Sequence, residues 1–484
     1  MHQQNVQRAN VVLIMVDQWR GDCLSIADHP VVHTPYLDQL ALRGARFTHA
    51  YSATPTCIPA RAALFTGLTQ RSHGRVGYQD GVPWDYATTL AGEFTRQGYQ
   101  TQAVGKMHVY PERSQMGFQN VILHDGFLHY ARRHNRNYGL VDDYTPWLCE
   151  QLGRPADYFD HGVNCNSYIA RPWDKDEYLH PTNWVVSQSI DFLRRRDPRK
   201  PFFLFMSFHR PHPPYDPPAW ALEMYRDRAM PPALVGDWVE ILNPWAEPKR
   251  PDAAVDDIDP RALQLARAGY YGHMTHIDHQ LNRFLEVLDD YALGEDTFIF
   301  FTSDHGEMMG DHHLFRKGYA YEGSAGIPMI LAAPKGSGLI PRGVYDQPVE
   351  LRDVMPTLLE CAGLEIPATV EGRSVLPLAR GEQAPWRPYL HGEHTIFGQS
   401  MQFVTDGRQK YVWFSGDGHE QLFDLDNDPQ ERHDLARDPA RRERLSEWRG
   451  RLIQELRGRE EGFTDGQRLI AGRPVQPCLA KLRR

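Results

Sequence analysis

The sequence predicts a three-layer α/β/α domain on a mixed, mostly parallel sheet, followed by a smaller α+β domain with an antiparallel sheet. Three observations carry this expectation. Apolar runs at 11–16, 101–105, 202–208 and 298–303 are unbroken, as suits strands covered on both faces. Amphipathic stretches separate them, so strand and helix alternate. Near residue 374 the texture changes to short strands punctuated by turn residues, which predicts domains at 1–373 and 374–484. The 484 residues, 41% hydrophobic, suffice for one large core and a smaller one.

Taken in order, run 11–16 ends in Asp17-Gln18, and 35–43 reads as a helix. At 57–67 a loop meets a helix start. Pro59 suits a first turn, where its missing N–H costs nothing, and Gly67 can stop the helix. Cys57 then lies at the positive helix end with Arg61 one turn on, a place that lowers a thiol pKa and binds anions. Helix 89–97 precedes run 101–105, which ends in Lys106-Met107-His108. Helix 184–195 precedes run 202–208, which ends in His209-Arg210-Pro211-His212. Helix 263–288 carries His273, His276 and His279. Their three-residue spacing drifts around the helix, so they read as surface or packing residues. Run 298–303 ends in Asp304-His305. Ligands bind beyond the carboxyl ends of such strands, so the four clusters are expected to share one rim. The small domain reads as strands 387–394, 401–405, 410–414 and 422–425, closed by helix 441–457.

Lys and Arg number 53 against 62 Asp and Glu, a net charge of −9, with no long basic run. That argues against a nucleic-acid partner. No apolar run approaches a membrane span, residues 1–10 carry no signal region, and the six cysteines (23, 57, 149, 165, 361, 478) form no CxxC pair. The expectation is a cytoplasmic protein with no membrane partner.

Cys57-Ile58-Pro59-Ala60-Arg61 resembles the Cys-x-Pro-x-Arg of sulfatases, with Ala60 where Ser is commoner. Gly105-Lys106-Met107-His108 is similar to the family's Gly-Lys-x-His, and Pro211-His212-Pro213-Pro214 to its Pro-His-x-Pro. Lys317 resembles the family lysine that faces the scissile oxygen. Residues 422–429 match Leu-Phe-Asp-Leu-x-x-Asp-Pro. The chain is thereby identified as a member of the type I, formylglycine-dependent sulfatases of the alkaline phosphatase superfamily.

The resemblance implies that a maturing enzyme oxidises Cys57 to formylglycine, whose hydrate supplies the nucleophilic oxygen. It implies a divalent metal on Asp17, Gln18, Cys57, Asp304 and His305, with Asp-Gln and Asp-His in place of the commoner Asp-Asp and Asp-Asn. Oxygen-rich ligation suits Ca²⁺, and one imidazole leaves Mn²⁺ or Zn²⁺ open. Arg61 and Lys106 would hold sulfuryl oxygens. His108 would contact the spare hydroxyl, and His212 and Lys317 would assist the leaving alcohol. The implied substrate is a small-molecule or oligosaccharide sulfate ester, such as a sulfated sugar. His391, Glu393 and His394 are candidates for sugar contacts, and the Arg-rich segment 437–459 reads as a solvated helix face. Two rivals stay open: a phosphonate monoester or phosphodiester hydrolase with the same nucleophile, and a non-catalytic anion binder.

Overall fold

The computed structural model describes residues 8–126, 141–248 and 250–483. Its strands up to residue 350 are β1 (Asn10–Asp17), β2 (Gly44–Phe47), β3 (Ala50–Tyr51), β4 (Gln100–Gly105), β5 (Asn120–Leu123), β6 (Phe202–Pro211), β7 (Thr297–Ser303), β8 (Met329–Ala332), β9 (Gly343–Tyr345) and β10 (Val349–Glu350). Eight of them form one sheet in the order β5-β4-β6-β1-β7-β8-β2-β9, and β3 pairs with β10. Neighbours in the large sheet run parallel except around β8, which is antiparallel to β7 and β2.

The unbroken apolar runs have the expected cause. On β1, Val12, Ile14 and Val16 enter one core, and Val11, Leu13 and Met15 the other. The first core holds helices α1 (Pro35–Leu42), α4 (Pro181–Arg195) and α5 (Pro260–Asp290). The second holds α2 (Cys57–Thr66), α3 (Leu90–Arg96) and α6 (Val354–Cys361). Two-sided coverage is the three-layer arrangement the sequence predicts.

Strand register sets the rim. Asp17 lies opposite Pro211, Val16 opposite Ser303, and Gly105 opposite Ser207, so the four polar clusters leave the sheet at one level. Gly105 has φ 95°, and a Cβ there would stand 1.9 Å from the Ser207 carbonyl oxygen. Only glycine allows β4 to turn out so close to β6.

The remaining strands, β11 (Leu390–Ile396), β12 (Gln399–Thr405), β13 (Gln409–Phe414) and β14 (Glu420–Asp424), form an antiparallel meander. Val404, Tyr411, Trp413 and Leu422 pack on Leu445, Trp448 and Leu452 of α7 (Arg442–Glu455). Met401, Phe403, Val412, Phe414 and Phe423 pack on Leu314, Tyr319 and Tyr321, next to the rim.

Several expectations change. β11 starts at Leu390, because Arg387 is held out of the strand by Asp353 through two bonds of 2.7 and 2.6 Å. β6 runs on through Pro211, so His209 and Arg210 are strand residues. His273 and His276 are fully buried, bonded to Asp216 and Asn183, while His279 is exposed. α5 is buried over a wide arc, so a drifting trio still has two members inside. Among the described residues no helix is long and apolar enough to cross a membrane.

Candidate active site

α2 begins at Cys57, and all of its residues are buried. Its N-cap, Thr56, makes no side-chain cap. The Thr56 hydroxyl instead bonds His394 Nε2 at 2.9 Å. Gly67 ends the helix in the left-handed region at φ 67°, as its position predicts. Position 57 is cysteine here, so Sγ stands in for the oxygen substituent that formylglycine would carry on the same β-carbon.

Asp17, Cys57, Asp304 and His305 come together from β1, α2 and the end of β7. Each offers one donor atom, and these lie within 4.8 Å of one another. His305 Nε2 is 3.2 Å from Cys57 Sγ, 3.4 Å from Asp17 Oδ1 and 3.5 Å from Asp304 Oδ1. His305 Nδ1 donates to the Gly306 carbonyl at 2.9 Å, which leaves a lone pair on Nε2. A neutral imidazole lone pair turned toward two carboxylates is unfavourable alone and suits a shared cation. Burial pushes His305 down to about 4, against the pull of Asp304, so it stays neutral. The residues present therefore fit a divalent cation. Gln18 adjoins them in the left-handed region at φ 71°, its N–H on Asp304 Oδ1 at 3.1 Å.

Lys106 and Arg61 are buried too. Lys106 bonds Asp17 directly. Burial pushes the Asp17 carboxyl up, but Lys106, His212 and Lys317 together hold it well below the usual carboxylate range. Burial also presses Lys106 downward, and Asp17 and Cys57 raise it above its ordinary value. Arg61 Nε donates to Asp304 Oδ2 at 3.1 Å, and Nη1 donates to the Lys106 carbonyl (2.8 Å) and Ser207 Oγ (2.9 Å). Its Nη2 has no partner. Lys317, half-buried, donates to Gln18 Oε1.

His108 stands at φ 54°, its N–H and that of Met107 held by Asp125 Oδ1 at 2.9 and 2.7 Å. Asp80 is 3.6 Å from His108 Nε2, and neither ring nitrogen has a hydrogen-bond partner. His212 Nδ1 donates to the Pro213 carbonyl at 2.9 Å, and Nε2 is unpartnered. Burial, then Lys317, presses His212 well below its ordinary value. The ten residues read from the sequence as catalytic or metal-binding candidates thus occupy one rim.

The sequence did not point to several supports. Ser207 and Asp125 hold Arg61 and the 107–108 turn. Glu307 accepts from the Gln18 amide. His209, passed over in favour of His212, stacks on it with centroids 5.3 Å apart and approaches Asp17. Arg210 donates to His209 Nδ1 and is clamped by Asp216 at 2.8 and 2.9 Å. Apart from Arg210, whose partners are its neighbour and a residue six positions on, and the stack of His209 on His212, these are contacts between segments distant in sequence. Two expected sugar contacts are engaged inside the protein instead. Glu393 is buried against Arg459 at 2.6 and 2.9 Å, and His391 bonds Gln402 at 2.8 Å. Arg459 is therefore not part of a solvated face.

A cation-ready carboxylate and imidazole set beyond a mostly parallel sheet, with a nucleophile position on a helix start, defines a hydrolase of the alkaline-phosphatase-like class. The family model described as Sulfatase matches residues 9–364, and that described as N-sulphoglucosamine sulphohydrolase, C-terminal, matches 310–458. The chain is 49% identical to an arylsulfatase of Clostridium perfringens (strain 13 / Type A), covering 97% of this chain and 98% of that one. It is 31% identical to the multifunctional alkaline phosphatase superfamily protein PehA of Trinickia caryophylli, covering 90% and 92%. Its fold resembles the crystal structure of a phosphonate monoester hydrolase of Agrobacterium radiobacter, with TM-score 0.78, 26% identity, and 92% and 95% covered. The chain belongs to the sulfatase family and is a sulfuric ester hydrolase.

Proposed function

We propose that the protein hydrolyses the sulfate ester of a sugar or glycan fragment, with Cys57 converted to formylglycine by a separate maturing enzyme. The observation that carries this reading is the meeting of Cys57 with Asp17, Asp304 and His305 within 4.8 Å, ringed by buried cations. When present, the formylglycine hydrate supplies the attacking oxygen, and a divalent cation supplies polarisation of a sulfuryl oxygen. Asp17, Gln18, Asp304, His305 and position 57 would hold that cation. Three oxygen donors and one imidazole favour Ca²⁺, with Mn²⁺ or Zn²⁺ as alternatives.

The other roles belong to the chain. Lys106 binds a sulfuryl oxygen as a point charge. Arg61 fixes Asp304 and the Lys106 carbonyl and points Nη2 at the same anion. Asp304 takes the proton of the attacking hydroxyl. His108 holds the second oxygen at position 57. On the opposite side Lys317 and His212 meet the leaving oxygen. With Nδ1 held by Pro213, Nε2 is the His212 nitrogen that exchanges a proton with substrate.

A second reading, phosphonate monoester or phosphodiester hydrolysis, is favoured by the likeness to the Agrobacterium enzyme and by the Asp17-Gln18 and Asp304-His305 pairs. Lys106 and His108 weigh against it, because hydrolases of that kind tend to carry uncharged residues where this chain has Gly105-Lys106-Met107-His108. Peptide mass spectrometry of residue 57 should show one sulfur and two hydrogens replaced by one oxygen. kcat/KM for a sulfate ester and for a phosphodiester with the same leaving group decides between the readings. A higher value for the phosphodiester would overturn the sulfatase reading, and a panel of sulfated mono- and disaccharides then identifies the alcohol.

A further inference from the structure

Glu307 contributes no cation ligand, yet it decides what Gln18 can offer. The Gln18 backbone is fixed at both ends: its N–H donates to Asp304 Oδ1 (3.1 Å), and its carbonyl accepts from the Tyr270 hydroxyl (2.6 Å). The side-chain amide lies between groups of opposite kind. Lys317 Nζ donates to Oε1, and Nε2 donates to Glu307 Oε2. An ammonium only donates and a carboxylate only accepts, so one amide orientation satisfies both. Glu307 and Gln18 are fully buried, so water cannot substitute for either partner. The other carboxylate oxygen, Oε1, accepts from the Met309 N–H at 2.9 Å and from the Arg316 N–H. These bonds tie both ends of the loop that presents Lys317. Met309, His312, His313 and Arg316 in that loop all have φ between 50° and 67°, a backbone that needs such anchoring.

We propose that Glu307 is a positioning residue that turns Gln18 Oε1 toward the divalent cation and holds Lys317 beside it. The inference rests on the reading of Gln18 as a cation ligand. Its chemistry is directional, because an amide oxygen ligates a hard cation and an amide NH₂ does not. In Glu307→Gln the Met309 and Arg316 N–H groups still require an acceptor. The introduced amide must give them its oxygen, which leaves its NH₂ facing Gln18. Gln18 then turns its own oxygen toward position 307 and its NH₂ toward the cation. Partners behind a ligand typically contribute about 10–100-fold in metal affinity.

The test is Ca²⁺ affinity of the purified full chain, and Mn²⁺ affinity in parallel, by competition with a chromophoric chelator. Turnover is not needed. Gln18→Ala and Glu307→Gln should each bind Ca²⁺ about 10–100-fold more weakly. The double variant should bind no more weakly than Gln18→Ala alone, because Glu307 acts through Gln18. A general loosening of the fold would instead give additive losses, and that result overturns the inference. So does full affinity in Glu307→Gln while Gln18→Ala is impaired, an outcome that leaves the cation site standing. Unchanged affinity in Gln18→Ala overturns the ligand reading and the inference together. Should the amide variant not fold, Glu307→Asp with and without Gln18→Ala carries the same comparison. The shorter carboxylate still only accepts, so it should keep more affinity than Gln18→Ala, and additive losses again count against the proposal.

Discussion

The rim around Cys57 and the four-stranded sheet β11–β14 bury charge in opposite ways. In the small sheet Glu393 and Lys410 are closed by protein partners. Glu393 receives two bonds from Arg459 and one from Gln402. Lys410 reaches Glu431 (2.8 Å), Glu322 (2.6 Å) and the Ala320 carbonyl (2.8 Å). At the rim the same residue types are left incomplete: Arg61 Nη2, both ring nitrogens of His108, and Nε2 of His209 and His212 are buried without hydrogen-bond partners. Buried polar atoms are normally satisfied, so a cluster of exceptions marks where a ligand's oxygens belong.

Cys57→Ala tests the comparison hardest. It removes the proposed nucleophile position while leaving a residue that α2 accommodates readily. kcat/KM on an aryl sulfate should fall by about 10⁴-fold or more, with the thermal midpoint nearly unchanged. Retained turnover would break the assignment of the rim to chemistry.

Arg459→Met is the counterpart in the small sheet. It strands Glu393 in the interior. Removing one partner of a buried pair costs about 3–5 kcal/mol, so the free energy of urea unfolding should fall by that amount. Activity per folded molecule should hold. If stability holds and activity falls, the small sheet is part of the site.

Lys106→Ala tests the rim again, at smaller cost. A desolvated charge contact made in the transition state is worth about 2–4 kcal/mol, so sulfate kcat/KM should fall at least tenfold. Phosphodiester turnover by the same variant should fall less. Equal losses on both esters would show that Lys106 does not discriminate between them.

The rim was legible because strand ends are local. An apolar run that stops at Asp17, Lys106, His209 or Asp304 announces both the strand and the group it presents, and parallel pairing brings the four ends together. α2 was legible for a similar reason, since Pro59 and Gly67 punctuate it. What was not legible depends on tertiary partners. Nothing near Glu307 says that its carboxylate meets Gln18, and nothing near Arg459 says that it meets Glu393. The burial of His273 and His276 depends on α5 packing against α4 and the helix Ala219–Arg226, which spacing along one helix does not reveal. The Arg387 anchor likewise depends on Asp353, so β11 starts three residues later than the sequence suggests.

The smallest effect concerns the seam between the two regions. His312, in the loop that carries Lys317, packs on Trp238 and Tyr321, with ring centroids 4.8 and 5.9 Å away, and these rings adjoin Phe423 of β14. Its Nδ1 accepts from the Gly236 N–H at 3.1 Å. Burial pushes His312 down from 6.5 to about 4, with Asp311 opposing and Arg20 assisting. The unfolded chain takes up this proton near pH 6.5, and the folded chain only near 4. Stability is therefore full above about 6.5 and declines as pH falls between the two values. By pH 5 the group alone should cost about 2 kcal/mol relative to pH 7.5. His312→Asn tolerates the left-handed backbone there (φ 55°) and does not titrate. Its urea-unfolding free energy should fall less between pH 7.5 and 5 than that of the unsubstituted protein, by about that same 2 kcal/mol. Parallel pH profiles would mean that acid weakens the molecule elsewhere, in the buried histidines His180, His273 and His276, whose values burial also lowers.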